Sequence, residues 1–211
     1  MNRLSINGLR SVALVVVALL GLARSGAAQY YDMPQFITPY DETGVGLYLV
    51  FVNGIEDVGG MATFRKAGSD VNIGFRGSIN DVGGGGDIAL NAGLDLYKQF
   101  VSASDEFPLD VAWVTGIGLG WVTSDFDDFG ILRIPGGVSM SRQLQTDDGK
   151  WTLSPYASPR LALDIGLGAA DDTELHFDVD LGLEAQFTQS WLLRFGVTVG
   201  HEEALGFGIV F

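Results

Sequence analysis

Apolar and polar side chains alternate along most of this chain, and the clearest run covers residues 174–187. Leu175, Phe177 and the odd-numbered positions after them are apolar, whereas the even-numbered positions carry Glu, His, Asp, Gly or Gln. An α-helix does not give this pattern, because its apolar positions recur about every 3.6 residues. The run is also longer than the roughly five or six residues typical of soluble strands. It is long enough for a tilted membrane strand, which needs about nine to eleven residues.

The same test predicts ten strands, separated by clusters of Gly, Asp, Asn and Ser. The predicted strands cover residues 44–53, 58–66, 70–79, 86–98, 108–121, 130–143, 150–166, 173–187, 190–200 and 203–211. The second strand is short and weakly patterned, so eight strands remains an alternative. Lipid offers no partner to an open strand edge, so a membrane sheet has to close on itself. The pattern therefore predicts an all-β fold, a closed antiparallel up-and-down transmembrane β-barrel of eight to ten strands, with ten preferred.

Aromatic residues fall at the ends of the predicted strands. With ten strands, five lie at the periplasmic ends (Phe64, Trp151, Phe187, Trp191 and Phe211) and three at the outer ends (Phe51, Trp121 and Phe129). Two such aromatic girdles are typical of membrane interfaces. The last strand alternates Leu205, Phe207, Ile209 and Phe211 with smaller residues, as expected of a strand with one face against lipid.

Two features fit the strand pattern poorly. Pro135, Pro155 and Pro159 lie inside predicted strands, where each lacks the N–H that a sheet ladder uses. We expect a bulge or a local break in those two strands. Residues 29–43 show no periodicity, and the sequence leaves open whether they form a flexible lead-in or fold into the barrel mouth.

The amino terminus has the features of a cleaved export signal. Arg3 and Arg10 precede an apolar run of about twelve residues, and small residues follow up to Ala28. That run is shorter than the roughly twenty residues of a membrane helix, although a retained anchor is the alternative. The predicted organisation is a signal peptide at 1–28, an irregular lead-in at 29–43 and a barrel at 44–211, located in the outer membrane.

The predicted inward face is small or polar. Many glycines occupy it, which relieves crowding inside a narrow, curved sheet. Its charged positions, the predicted polar network of the lumen, are Arg76, Asp95, Asp110, Arg133, Arg160, Asp164, Asp178, Asp180, Glu184 and Arg194. Because an unpaired buried charge is costly, we expect these groups to pair across the lumen and plug it. The alternative is a narrow, selective pore or a small-ligand cavity lined by the same groups.

Overall charge and composition narrow the possible partners. The chain carries 12 Lys and Arg against 26 Asp and Glu, a net charge of −14. Cleavage of the signal peptide would remove three of the Arg and no acid, which makes the mature chain more acidic. Such an acidic chain is not expected to bind nucleic acid, whose phosphates it would repel. It has no Cys, which excludes disulfides and thiolate metal sites.

Candidate catalytic and metal-binding groups are few. His176 and His201 are the only histidines, and both are predicted near the outer rim among acidic residues. Acid–base catalysis also needs an orienting carboxylate and a nucleophile in reach, and no motif for this is recognisable. The acidic loop 124–128 lacks the glycine and distal glutamate of a Ca²⁺ loop, and the glycine run 83–86 lacks the lysine of a phosphate loop. We expect neither enzymatic activity nor a metal or other cofactor.

The export signal, the alternating strands and the terminal run from Phe207 to Phe211 together resemble the small outer-membrane β-barrel families of the OmpA, OmpX and OmpW type, within the generic porin-like barrels. The resemblance implies outer-membrane lipid, periplasmic chaperones and the barrel-assembly machinery as partners. It implies that Phe207, Ile209 and Phe211 form the carboxyl-terminal assembly signal. It transfers no substrate and no oligomeric state. A structural envelope barrel, a narrow porin or hydrophobic-compound channel, and a soluble periplasmic ligand-binding barrel remain as alternatives.

Overall fold

The computed structural model describes residues 34–52, 57–82, 87–123, 129–147, 149–168, 172–187, 190–201 and 203–211. The predicted signal peptide, residues 29–33, the acidic loop 124–128 and the glycine run 83–86 lie outside these ranges. Within them, no helix is both long and apolar enough to cross a membrane.

Eleven strands follow one another along the described chain. They are β1 Gly44–Val52, β2 Asp57–Lys66, β3 Asn72–Val82, β4 Asp87–Val101, β5 Asp110–Thr123, β6 Phe129–Ser141, β7 Leu144–Gln145, β8 Thr152–Gly168, β9 Thr173–Gln186, β10 Leu192–Gly200 and β11 Ala204–Val210. The predicted strands match these within about three residues at each end. The two-residue strand β7 pairs with the start of β8.

Ten of these strands form a closed antiparallel barrel. Each pairs with its neighbours along the chain, β6 pairs with β8, and β1 pairs with β11 from Gly46↔Val210 to Val52↔Ala204. The predicted closed ten-stranded barrel is confirmed. The alternative of eight strands is wrong, because β2 is ten residues long and pairs along both of its edges.

The two faces of the barrel wall are chemically opposite. On β1, Leu47 and Leu49 point outward and are each 49% exposed, whereas the alternate residues Tyr48 and Val50 point inward and are buried. On β9, Phe177 points outward, and the inward positions carry buried histidine and carboxylate groups. This alternation continues around the ring, so the outer surface is apolar, as the sequence pattern predicts. The interior holds the buried charged groups, together with apolar side chains such as Val50 and Met61 near β1.

The strand prolines interrupt the ladders locally. Pairing of β5 with β6 is broken between Thr115↔Gly136 and Gly118↔Arg133, beside Pro135. Pairing of β6 with β8 is broken between Gly137↔Arg160 and Met140↔Ala157, opposite Pro159. Proline has no backbone N–H to donate to a ladder, and the two breaks lie where such a donor would be missing. The expected local breaks in these two strands are confirmed, and the ring stays closed around them.

Candidate functional site: the barrel lumen

Residues 34–43, which we call the lumen segment, lie inside the barrel. Residues 34–39 are all buried, and Phe36 and Ile37 are 0% and 1% exposed. The segment runs from the middle of the barrel toward the end at which β1 begins and β11 ends, which we call the proximal end. Of the two options that the sequence left open for the lead-in, folding into the barrel is the one that these described residues adopt.

Phe36 anchors the apolar part of the lumen segment. Its ring stacks on Tyr48 of β1, with ring centroids 4.4 Å apart and an interplanar angle of 16°. The ring also fills space above Gly196 and Gly206 on the inward faces of β10 and β11. The backbone of Phe36 is left-handed, with φ of 54°, a conformation that costs a residue other than glycine about 1–2 kcal/mol. Phe36 is thus packed tightly while its backbone is strained.

The guanidinium of Arg65, on β2, binds the backbone of the lumen segment. Its Nη2 donates to the carbonyl oxygen of Gln35, and its Nη1 donates to that of Phe36, both at 2.7 Å. Arg65 is 2% exposed, and its fork of donors therefore satisfies two buried carbonyls at once.

Other wall side chains complete the contacts with the segment. The backbone N–H of Gln35 donates to Asp180 at 3.2 Å, and Ser139 donates its hydroxyl to the carbonyl of Ile37 at 2.6 Å. Thr38 donates to Glu184 at 3.2 Å. The described backbone of residues 34–43 belongs to no strand, so side chains from β2, β6 and β9 take the place of a ladder.

Glu42 joins the lumen segment to two arginines. Its Oε2 lies 2.8 Å from Nη1 of Arg65 and 2.7 Å from Nη2 of Arg194. Arg194 also pairs with Glu184 and donates to the hydroxyl of Tyr48 at 2.9 Å. Burial opposes ionisation of Glu42, but Arg194 and Arg65 outweigh it and lower its pKa from the ordinary 4.5 to about 2. Glu42 is therefore ionised at any physiological pH.

Tyr40 closes the segment against the opposite wall. Its hydroxyl donates to Asp110 at 3.0 Å, at the proximal start of β5. Burial raises the pKa of Tyr40, a hydrogen bond with Ser141 opposes the rise, and the charge of Asp110 adds to it. Tyr40 is therefore a neutral hydrogen-bond donor. Asp110, which was expected to pair with another lumen charge, contacts the lumen segment instead.

The remaining predicted charges form ion pairs along the wall. Arg133 pairs with Asp164 and Arg194 with Glu184, and each pair joins register partners on adjacent strands. The other described pairs are Arg160 with Asp180 at 3.2 Å, between β8 and β9, and Arg76 with Asp95 at 3.5 Å, between β3 and β4.

The prediction that these groups pair across the lumen is corrected for the four pairs just described. Neighbouring inward side chains lie within about 5 Å of each other on paired strands, so a charge finds its partner beside it before it reaches the far wall. Glu42 instead links β2 to β10 past the two strands between them. The lumen segment therefore supplies the link that the wall charges were expected to supply.

Sequence reasoning missed Arg65 and Glu42. A signal existed for Arg65, because Phe64 faces outward and strict alternation places the next residue inside. The weak pattern of β2, which contains Gly59 and Gly60, hid that signal. No signal existed for Glu42, because residues 29–43 have no period from which to infer a face.

The two histidines meet at the other, distal end of the barrel. Their rings stack with centroids 4.6 Å apart, and Nε2 of His176 lies 3.4 Å from Asp178 and 3.7 Å from Asp164. Nε2 of His201 lies 3.8 Å from Glu174. In the part of the chain that the structure describes, no group of three or more potential ligands is arranged to hold a metal ion.

Cavities lined by described residues lie along the barrel. One of about 440 Å³ opens at the proximal end, beneath the lumen segment, and Tyr40, Glu42, Gln186 and Arg194 are part of its lining. Another, of about 30 Å³, lies beside Arg76 on the wall formed by β3 to β6, and holds about one water molecule. We call the larger cavity the proximal vestibule.

The predicted girdle aromatics cluster at the barrel ends. At the proximal end, Trp151 lies 5.4 Å from Phe187 and Trp191 lies 5.6 Å from Phe211, measured between ring centroids. Phe64 shares this end. At the distal end, Phe51 stacks with Phe207 at 6.1 Å, and Trp121 is exposed. The side chain of Phe129 lies outside the described residues, and Ile209 lies on the outward face of β11 with Phe207.

Comparisons with known proteins give similarity in architecture only. No protein-family model matches the chain, and no curated protein sequence matches it significantly. Among solved structures, the chain is similar to the β-domain of the Bordetella autotransporter BrkA, with 9% identity, a TM-score of 0.47 and coverage of 81% of this chain and 99% of that one.

Two further structures are similar to a lesser degree. A de novo designed transmembrane β-barrel has 14% identity and a TM-score of 0.35, with 82% of this chain and 98% of that one covered. A mutant of the Rh. blastica porin has 9% identity and a TM-score of 0.20, with 80% and 98% covered. The fold assignment therefore rests on the strand register of this chain.

Proposed function

We propose that this chain is an integral outer-membrane β-barrel with a structural role in the envelope, and that its lumen is closed at rest. The observation that supports this best is the inversion of the two faces: apolar side chains cover the outside and ion pairs line the inside. Leu175 is 66% exposed and Phe177 54%, whereas Asp178 beside them is 0% exposed.

This inversion favours lipid over water as the outer solvent. Exposed apolar surface costs roughly 25 cal/mol per Å² in water and nothing comparable in hydrocarbon. A soluble ligand-binding barrel would place its apolar residues inside and its charges outside, which is the reverse of the arrangement on β9. Aromatic rings at both barrel ends also suit the two membrane interfaces.

The lumen segment supports closure. Phe36 and Ile37 occupy the proximal half of the barrel, together with the ion pairs of Glu42 with Arg65 and Arg194. The wall ion pairs give Arg76, Arg133 and Arg160 each a carboxylate partner. We propose no enzymatic role for this chain.

Assembly partners follow from the proposed location. An outer-membrane barrel reaches its site through the periplasm, so we propose periplasmic chaperones and the barrel-assembly machinery as partners. The outward run of Phe207 and Ile209, with Phe211 after it, is the proposed recognition signal. Phe211 pairs its backbone with Val45 at 2.9 and 3.0 Å, so this signal also lies where the barrel closes.

Heat-modifiable mobility tests the proposal. Envelope fractions run on SDS gels with and without boiling should show two mobilities, and carbonate should leave the protein in the membrane pellet. A protein that carbonate extracts and that shows a single mobility would contradict an integral barrel. A narrow channel is the second candidate, favoured by the proximal vestibule, and conductance in planar bilayers separates it from a permanently closed barrel.

A further inference from the structure

The barrel closes without help from the lumen segment. The pairing of β1 with β11 covers seven residues on each strand and uses only wall residues. The ten-stranded ring is therefore complete when the segment is ignored. Removal of the segment would break side-chain contacts but no strand ladder, so it is separable from the fold that surrounds it.

Several buried polar atoms around the segment lack the hydrogen bonds that a permanent core would give them. The hydroxyls of Tyr97 and Tyr156, Nε2 of Gln35 and Nε of Arg194 are buried and have no hydrogen-bond partner among the residues that the structure describes. Native cores satisfy nearly all such groups. Together with the left-handed backbone of Phe36, these atoms raise the free energy of the closed state relative to one in which water reaches them.

The path left by the segment would be lined by the wall pairs and not crossed by them. Arg160 with Asp180 and Arg76 with Asp95 each bridge adjacent strands, which leaves the barrel axis to the segment. The proximal vestibule of about 440 Å³ already opens onto the same axis beneath Glu42.

We propose that residues 35–42 are a displaceable plug, and that its withdrawal turns the barrel into a pore for small hydrophilic solutes with a preference for anions. This inference rests on the proposed outer-membrane barrel. The preference for anions follows from the charges that withdrawal uncovers. Arg65 and Arg194 lose Glu42, and Lys98 loses Asp41. Glu184 stays beside Arg194, and Asp110 loses Tyr40. These three cations and two carboxylates leave an excess of one positive charge at the proximal end, which attracts anions.

The first test is conductance of purified, reconstituted protein. A variant lacking residues 35–42 should carry steady current that wild type lacks, with chloride more permeant than potassium in a salt gradient. A synthetic peptide of residues 34–43 (PQFITPYDET) should block that current, whereas a peptide with the same composition in scrambled order should not. A folded deletion variant, shown by heat-modifiable mobility, that conducts no better than wild type would overturn the plug. Current that favours potassium would overturn the anion preference.

The second test leaves the segment in place. Ser139→Cys puts a thiol against the segment on a chain without other cysteines, at a position that is 0% exposed. Adding Glu42→Gln should speed its modification by a membrane-impermeant reagent about tenfold or more, because charge-assisted hydrogen bonds to the two arginines are weakened. Adding Glu106→Gln, the same charge change in an exposed connection, should leave the rate unchanged.

The outcomes separate this inference from the proposed function. Equal rates for Glu42→Gln and Glu106→Gln in a properly inserted barrel would contradict a displaceable plug. A thiol at the exposed turn residue Ser69 reports reagent access and should react fast in every background. Protein that never inserts and never shows heat-modifiable mobility would contradict the membrane barrel itself.

Discussion

A Cβ atom added at Gly206 would lie 2.6 Å from Cζ of Phe36, closer than two such carbon atoms can approach. The glycine on β11 and the ring from the lumen segment are therefore matched in shape. Occupancy of the lumen thus depends on a residue that contributes no side chain.

Gly206→Val should displace the Phe36 ring from its position above residue 206. The extra carbons overlap the ring, and overpacking of this kind costs about 1–3 kcal/mol, which is comparable to what the segment gains there. In protein labelled at Phe and Tyr, nuclear Overhauser contacts between the Phe36 and Tyr48 rings should disappear while the barrel stays folded. Gly60→Val, where nothing lies within 4 Å of the new Cβ, is the matched control and should keep them. Their survival in Gly206→Val would show that the ring sits elsewhere.

Arg133 and Asp164 should behave as a coupled pair. Arg133→Met leaves a buried carboxylate beside His176 and should lower the free energy of unfolding by about 3–5 kcal/mol. The double variant Arg133→Met with Asp164→Leu should recover most of that loss, since no charge is then left alone. Urea unfolding in lipid vesicles measures both. Additive losses in the double variant would mean that the two groups do not interact.

Alternation along the sequence predicted the barrel, because lipid on the outside and charged groups on the inside impose the same two-residue period on the strands. It placed Phe177 outward and Asp178 inward with no further information. The strand ends were less well predicted, since ladders such as Val82↔Asp87 continue through polar residues beyond the apolar face.

The lumen segment was not predictable from the sequence in the same way. Its backbone is held by Arg65, Ser139 and Asp180, which come from three strands far apart in the chain. Such contacts impose no period on residues 34–43, so no pattern marks Phe36 as buried. The pairing of each charge with a charge on the neighbouring strand could have been inferred from the register of the two strands. That register depends on the exact positions of the turns between them.

Acid should release the lumen segment. The pKa of Glu42 is lowered to about 2 when the segment is in place, so its ionised carboxylate stabilises the docked segment above about pH 4.5. That contribution, about 3 kcal/mol, is lost progressively as the pH falls toward 2. Modification of Ser139→Cys by a reagent of pH-independent reactivity, such as a disulfide of 2-pyridyl type, should therefore speed up between pH 5 and pH 3.

Glu42→Gln is the control for that pH dependence. Asp180 and Glu184 also bind the segment, so only the part of the pH dependence that this variant removes belongs to Glu42. Identical profiles for wild type and Glu42→Gln would contradict the role of the carboxylate.

A charge on the outer face should destabilise the barrel according to its depth. Ile117 lies at the middle of β5 and is 44% exposed. Ile117→Arg should cost about 2–4 kcal/mol in a bilayer, as expected for a cation near the membrane centre. Ser102→Arg, in the exposed proximal connection, should change the free energy of unfolding by less than about 0.5 kcal/mol. Equal effects in vesicles would place Ile117 in water.

The most direct measurement is site-directed spin labelling along β9 in lipid vesicles, one cysteine at a time from Leu175 to Leu183. We predict that labels at the odd positions collide with molecular oxygen dissolved in the bilayer, whereas labels at His176, Asp178 and Asp180 are shielded from it. Uniform accessibility along the strand, or oxygen contact at the even positions, would contradict an apolar outer wall around a charged lumen.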